Sequence, residues 1–305
     1  MPAQRRLGMD HEHYDWSPLV NRSRLNWPSG SRIAICIILN LGHMEWSPPP
    51  RSLTPPLAGG LGVRDFPDYA RLSHREYGHR VGVFRVLDAL ENAGFKATVA
   101  MDALTAENYP FLVDHCLGRG CEIICNGVSS SQMISSQMSQ EEEAGYIRTS
   151  IDALTRATGA APFGWLGPEY GESSLTPQLL SQAGIRYICD WANDEQPYRL
   201  KSPHGELFAL PTMVELDDVV ALWNRRVTVG RYRDMLKESF DTLYEDGART
   251  GKLLVINLHP WLIGQPFRIG YLNDALEHMT RRGGVWTATG SEIVDWYRRN
   301  PQVVE

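Results

Sequence analysis

Two runs constrain this chain more than anything else in it: Ile33-Ala34-Ile35-Cys36-Ile37-Ile38-Leu39 near its start and Leu253-Leu254-Val255-Ile256-Asn257-Leu258 near its end. Each is almost unbroken apolar residue over the length of one strand, the pattern of a strand covered on both faces rather than wet on one. Between them the same unit recurs. Residues 95–100, 122–125, 163–166, 185–189 and 207–211 read as short strands. The intervening segments carry apolar residues at helical spacing, as at Val83, Phe84, Leu87 and Leu90 or at Ile147, Ile151 and Leu154. Residues 285–288 and 291–299 add a last strand and helix. Strands alternating with helices through short connections require a parallel sheet. Seven or so such units, with polar residues at each strand exit, predict a distorted (β/α)7 barrel formed as a single domain over residues 31–300. An open doubly wound sheet is the alternative.

The 305 residues, 43% hydrophobic and 22% charged, suffice for one large core. A formal net charge of −6, with no basic cluster interleaved with aromatics, argues against a nucleic-acid partner. No run approaches the length of a membrane span. Basic residues in the first seven positions lead into no apolar core, so they do not make a secretory signal, and a cytoplasmic location is expected. Cys36, Cys116, Cys121, Cys125 and Cys189 lie in or beside apolar runs and read as buried free thiols rather than as disulfides or a zinc site. Residues 1–30, with Asp10-His11-Glu12-His13-Tyr14-Asp15-Trp16, read as an arm packed across the body or across a neighbouring subunit, which leaves a homo-oligomer open.

Residues 47–77 are proline- and glycine-rich without a clear period and read as a loop long enough to cover a site. Glu141, Glu142 and Glu143 read as a solvated helix start favoured by the helix dipole, and Thr176-Pro177 as a cap followed by proline at the first helical position.

The polar residues at the strand exits are where chemistry is expected. His259, locked by Pro260, follows the last long run, and Asn40-Leu41-Gly42-His43-Met44-Glu45-Trp46 follows the first. Others are Asn126, Gly167-Pro168-Glu169-Tyr170 and Asp190-Trp191 with Asp194. No G-x-G-x-x-G, G-x-x-x-x-G-K-[ST] or G-x-S-x-G stands at a strand–helix turn.

Taken together, these exits resemble the polysaccharide deacetylase superfamily, and within it the allantoinase-like branch. The resemblance rests on Trp27-Pro28, Tyr77-Gly78 with Arg80-Val81-Gly82, and Gly164-Trp165-Leu166-Gly167-Pro168. It rests further on Asp190-Trp191 with Asp194-Glu195-Gln196-Pro197-Tyr198, and on His259-Pro260-Trp261 with Ile263-Gly264-Gln265-Pro266. It implies a distorted (β/α)7 barrel and hydrolysis of a carbon–nitrogen amide bond. In typical members the first strand ends in two carboxylates, a base and a metal ligand, and these positions look like Gly42 and His43 here. The typical metal pair H-x-x-x-H falls on Asn126 and Ser130, and the arginine-proline motif looks replaced by Gly167-Pro168-Glu169. His259 matches the late catalytic histidine.

A metal site of the usual kind is therefore not expected; if a zinc-like ion is held, His43, Glu45 and His259 would be its ligands. His43 or Glu45 stands as the base and His259 as the acid toward the leaving nitrogen. Asn126, Trp46, Glu169, Tyr170, Asp190, Trp191, Asp194 and Trp261 stand as binding residues for a small-molecule substrate. Glu45 bonding a loop and Asp190 capping a turn are the structural alternatives. Nine tryptophans and twelve tyrosines, with Trp46, Trp165, Trp191 and Trp261 at strand exits, suggest an aromatic-lined pocket for a flat, compact substrate rather than a groove for a long glycan. A metal-free lyase, isomerase or hydratase on the same barrel, and an inactive binding homologue, are the competing readings.

Overall fold

The computed structural model describes residues 10–50, 52 and 67–300. The first strand, β1 (Ile33–Leu41), pairs with three others and lies next to the end of the sheet order. It pairs in parallel with β8 (Lys252–Leu258) from Ile33↔Lys252 to Leu39↔Leu258, and with β2 (Ala97–Met101) from Ile37↔Ala97 to Leu41↔Met101. Parallel pairing continues through β3 (Glu122–Cys125), β4 (Gly164–Trp165), β5 (Tyr187–Ile188) and β7 (Leu207–Ala209). These seven strands are the staves of the predicted barrel. The short β6 (Tyr198–Leu200) runs antiparallel to β7, and β9 (Val285–Thr287) pairs with the base of β1.

No strand ladder joins β7 to β8. Two backbone hydrogen bonds bridge the seam instead, Met213 N–H to the Val255 carbonyl (3.3 Å) and Leu253 N–H to the Glu195 carbonyl (2.8 Å). The barrel thus closes through irregular chain.

Side chains alternate across the strands. Ile33, Ile35, Ile37 and Leu39 of β1, with Leu254, Ile256 and Leu258 of β8, face the helical layer. That layer includes α2 (Val83–Asn92), α7 (Val229–Asp246) and α9 (Ile269–Thr280), whose Leu87, Leu90, Leu236, Phe240, Leu272 and Leu276 belong to the same cluster. Ala34, Cys36, Ile38, Ala100, Ile124, Leu166, Tyr187, Cys189, Leu253 and Val255 fill the barrel itself. Its floor is closed by Leu25, Trp27 and Ile293, Val294 and Tyr297 of α10 (Gly290–Arg299). Because one long run serves both layers, every residue of it is apolar, which is why the sequence shows no alternation. Burial of Cys36, Cys116, Cys121, Cys125 and Cys189 as free thiols agrees with the sequence reading.

The amino-terminal segment from Asp10 packs across the body of the domain. Arg22 pairs with Asp194 at 2.5 Å, the Lys201 amide donates to the His13 carbonyl, and Tyr14 meets Trp191 and Tyr198 edge-on. The arm is not cleanly separate from the barrel, since Leu25 and Trp27 lie in its floor and Trp27 Nε1 donates to the Lys252 carbonyl. Among the described residues no helix is long and apolar enough to cross a membrane.

Three local expectations change. Within the expected loop, Tyr69–Tyr77 is a helix, α1, continued without a break by the π-helical turn Gly78–Gly82 into α2. The α1 segment buries only Leu72, so no apolar stripe announced it; residues 53–66 of that loop lie outside the described residues. Glu143, expected to be solvated, is buried in α5 (Gln140–Thr158), where it accepts hydroxyl hydrogen bonds from Ser173 (2.6 Å) and Thr176 (2.5 Å). Thr176 is accordingly the first residue of α6 (Thr176–Gln182) rather than its cap.

Removing a buried acceptor strands both hydroxyls, so Glu143→Ala is expected to lower the unfolding free energy by about 2–3 kcal/mol. Glu141→Ala, at an exposed position, is expected to stay within about 0.5 kcal/mol of the parent. Urea midpoints at unchanged m-value would check both.

Candidate active site at the carboxyl rim of the barrel

Parallel strands end on one rim, so the side chains just beyond them are gathered there whatever their distance in sequence. Beyond β1 stand Gly42, His43 and Glu45; beyond β2, Asp102; beyond β3, Asn126; beyond β4, Glu169 and Tyr170; beyond β5, Asp190; and beyond β8, His259.

His259 is fixed from three directions. Pro260 starts the short helix α8 (Pro260–Ile263) and holds His259 extended before it. Its amide donates to both carboxylate oxygens of Asp218 (3.0 Å each), and its Nδ1 meets Asp218 Oδ1 at 2.7 Å. This orientation directs Nδ1–H at the carboxylate and leaves Nε2 without a protein partner among the described residues. Burial acts to lower the His259 pKa, but the neighbouring charges of Asp217 and Asp218, with the Asp218 hydrogen bond, outweigh it and hold the imidazolium above its ordinary range. Asp217 is itself anchored. Its Oδ1 accepts the Val219 and Val220 amides, and its Oδ2 accepts the Tyr170 hydroxyl (2.6 Å) and Asn257 Nδ2 (2.8 Å).

His43 is held differently. Its amide donates to Asp102 (2.6 Å), its carbonyl accepts the Ser130 amide (2.9 Å), and its ring lies 5.9 Å from Tyr109. Burial lowers its pKa, only partly offset by Glu45 and Glu76. His79 stacks on the other side of Tyr109 (4.9 Å) and burial lowers it to about 4. Asp102, raised by burial to about 8, also caps α3 (Ala103–Asn108) by accepting the Thr105 amide at 2.7 Å. Glu45 accepts from Ser129 Oγ (2.7 Å) and Gln132 Nε2 (2.9 Å), which makes it the brace of the 129–132 turn, not an unengaged base.

The other nominated side chains divide. Tyr170 lies against Asp217 and Asn257 beside His259, and Asn126 is buried on the same rim with its Nδ2 unpartnered. Glu169 is exposed, with Glu169 and Tyr170 both at positive φ (54° and 58°), a local strain that turns the chain sharply at the β4 exit. Asp190 accepts the Gly167 amide on Oδ1 (2.7 Å) across the β4–β5 exit, and its buried Oδ2 has no hydrogen-bond partner among the described residues. Burial raises both Asp190 and its neighbour Glu172 above the ordinary carboxyl range. Asp194 is used in clamping Arg22 and in accepting the Glu195 and Gln196 amides.

The aromatic-lined pocket is corrected. Trp165 is wholly buried facing the helices, Trp261 is 5% exposed, Trp191 lies under His13 and Tyr14, and Trp46 turns outward onto Tyr69 and Glu76. A cavity of about 950 Å³ does exist, but between the arm, Asn193–Tyr198 and Met213–Leu216, and its lining holds neither His43 nor His259.

The family resemblance raises a divalent metal, and the donors at the equivalent positions do not fit one. A side chain at Gly42 would overlap Ser130 Oγ, so a carboxylate there would require the Ser130 hydroxyl to turn away. Asn126 and Ser130 offer neutral oxygens in place of two imidazoles. Among the described residues, the group able to share an ion is Asp217, Asp218 and His259, rather than His43, Glu45 and His259. All four lone pairs of Asp217 are already taken by protein donors, and Asp218 is engaged by His259.

Comparison with known proteins bears on the fold. Residues 76–188 match the polysaccharide deacetylase family model, "Polysaccharide deacetylase". A Schizosaccharomyces pombe protein of the polysaccharide deacetylase type is 27% identical, over 90% of this chain and 93% of that protein. The chain is thus similar to polysaccharide deacetylases over residues 76–188 and, along most of its length, to that protein. A polysaccharide deacetylase-type structure from Pseudomonas aeruginosa PAO1 superposes with TM-score 0.80 at 25% identity, covering 92% of this chain and 95% of that one. The allantoinase PuuE has the same fold, with TM-score 0.83 at 24% identity over 92% and 94% of the two chains. This chain carries His259 at the exit of β8, with Asn126 and Ser130 beyond β3.

Sequence reasoning missed Asp217 and Asp218. They stand 42 and 41 residues before His259 in Glu215-Leu216-Asp217-Asp218-Val219-Val220, where a pair of acids before an apolar run reads as a helix cap. Asp218→Asn is expected to lower the His259 titration midpoint, because the charge that supports the imidazolium is removed. A side-chain amide in that place also presents the wrong partner to Nδ1. Proton NMR titration of the histidine ring signals would check the shift.

Proposed function

We propose that this protein is a hydrolase that cleaves a carbon–nitrogen amide bond of a small cyclic amide, ureide or imide without a metal triad of the usual kind. The observation that carries the reading is His259, clamped by Asp218 at 2.7 Å with Nε2 left for ligand. On the same rim a second histidine is driven the opposite way, His43 lowered and His259 raised. Two titratable groups whose surroundings separate their pKa values are the arrangement of a base and an acid.

Neutral His43 takes a proton from water as the water oxygen bonds to the amide carbon. The carbon–nitrogen bond then breaks, and imidazolium His259 delivers its Nε2 proton to the departing nitrogen, leaving a carboxylic acid and an opened chain. Asp218 holds the tautomer and the charge of His259 throughout, and Glu45 keeps the 129–132 turn in place beside His43. Similarity to deacetylase-type proteins and the allantoinase fold supports C–N hydrolysis. Use of the exit tryptophans in packing, not as a track of open rings, favours a compact substrate over a long glycan.

Activity should rise with pH through a midpoint below 6.5, as His43 loses its proton, and fall through a midpoint above 6.5, as His259 loses its own. His43→Ala is expected to remove the acid limb. His259→Ala is expected to cut kcat by about 10²–10⁴-fold and remove the alkaline one. The assay is ring opening of hydantoin, dihydrouracil, succinimide and allantoin in ¹⁸O-labelled water. Turnover without incorporation of label would favour a lyase, and inertness of metal-free and zinc-loaded protein alike across the panel would end the hydrolase reading.

A further inference from the structure

Arg75 is the described cation beside His259 whose guanidinium has no protein partner to bond. It stands in the last turn of α1, and its guanidinium carbon lies 3.8 Å above the centre of the Trp261 ring, two residues beyond His259. Among the described residues its N–H groups donate to no protein acceptor, although it is partly buried and stands in the field of Glu169, Asp218 and Asp217. Burial lowers its pKa only to about 10, so it stays charged in the working range. Buried donors left unpaired by the protein are costly, and a planar guanidinium held on an aromatic face is positioned without using its hydrogen-bonding edge.

The support beneath it is rigid. Just after Arg75, Gly78 lies so close to the α8 segment that a Cβ there would stand 2.9 Å from the Trp261 nitrogen. Tyr77 and Arg85 both bond the Gly264 carbonyl that ends α8. The neighbouring cation Arg268 is committed elsewhere: it donates to the Leu262 carbonyl at 3.1 Å and lies over Phe267. The hydrolysis proposed above, on which this inference rests, provides a base and an acid but nothing to polarise the carbonyl.

We propose that Arg75 is a catalytic residue of this site, binding the carbonyl oxygen of the scissile amide and the negative charge that grows on it as water adds. The bond that forms is water oxygen to carbonyl carbon. The carbonyl π pair moves onto the oxygen facing Arg75 and returns as the carbon–nitrogen bond breaks. His43 and His259 carry the protons in and out, and no oxidant or other co-reactant is needed.

The test pairs kinetics with binding. Arg75→Ala should lose about 10²–10³-fold in kcat, the scale of a missing oxyanion donor, with KM within a few-fold of the parent. Adding millimolar guanidinium should restore part of that rate, and methylammonium less. Arg75→Lys should fall between, since it keeps the charge without the fork, and Arg75→Met guards against misfolding of the alanine variant by preserving the apolar stack on Trp261. Barbiturate, a planar ring that carries its negative charge on carbonyl oxygens, is titrated by calorimetry into parent and variants as a probe that needs no turnover. Loss of barbiturate binding in Arg75→Ala and Arg75→Met supports the assignment even if no ring of the panel is opened, in which case only the hydrolase reading fails. A kcat within three-fold of the parent, absence of guanidinium rescue, or barbiturate binding equal in parent and variants overturns the role of Arg75. A parent that neither opens a ring nor binds barbiturate overturns both.

Discussion

The parallel register of β1 and β8 is the constraint on which the site depends. Seven residue pairs, from Ile33↔Lys252 to Leu39↔Leu258, lock together the two longest buried strands of the chain. With strands about 4.8 Å apart, the register that sets Leu39 beside Leu258 brings the polar residues after β1 next to those after β8. His43 and His259 are separated by more than two hundred residues of chain and share a rim because of it. A slip of one residue would exchange the barrel-facing and helix-facing sets along both strands at once. Every position of these strands is apolar apart from Asn40, Lys252 and Asn257, so the specificity of the register comes from shape, from the floor built by Trp27 and α10, and from the polar exits.

On that rim the two histidines are tuned by different physics. Desolvation acts on both and would make both weak bases. At His43 it prevails, because the nearby carboxylates are few and partly engaged, Glu45 by Ser129 and Gln132 and Glu76 by Trp46. At His259 two buried carboxylates stand against the ring, and their charge outweighs the loss of water. Metal donors are not merely substituted here. The Ser130 hydroxyl lies where a side chain at position 42 would begin.

Much of the architecture is legible in the sequence because strands covered on both faces leave strand-length apolar runs rich in β-branched residues. The parity of those runs is not legible, since both layers of the core accept the same residues. Trp165 shows the cost: it stands at a strand exit, but Gly164 and Leu166 face into the barrel, so its ring goes outward and is lost to the site. α1 is invisible for the opposite reason, having one buried side chain in nine residues and thus no stripe. His43 and His259 stand out because a titratable residue after an apolar run is conspicuous. Asp218 and Arg75 do not. One sits in an ordinary capping sequence and the other in a polar surface helix, and only the folding of distant segments against α8 gives them a role.

The irregular seam between β7 and β8 has its own consequence. Residues 211–218 pass through it, joined to β8 by the Met213–Val255 hydrogen bond, and this passage delivers Asp217 and Asp218 to the inner lip of the rim. A barrel of eight complete staves would place a strand and its return helix in that gap, with ladder hydrogen bonds claiming the backbone on both sides. The loop that anchors the histidine would then have no doorway. The imperfect circle is the opening that lets a carboxylate reach the imidazole from the flank, and a change that regularised this wall would take Asp218 from beside His259.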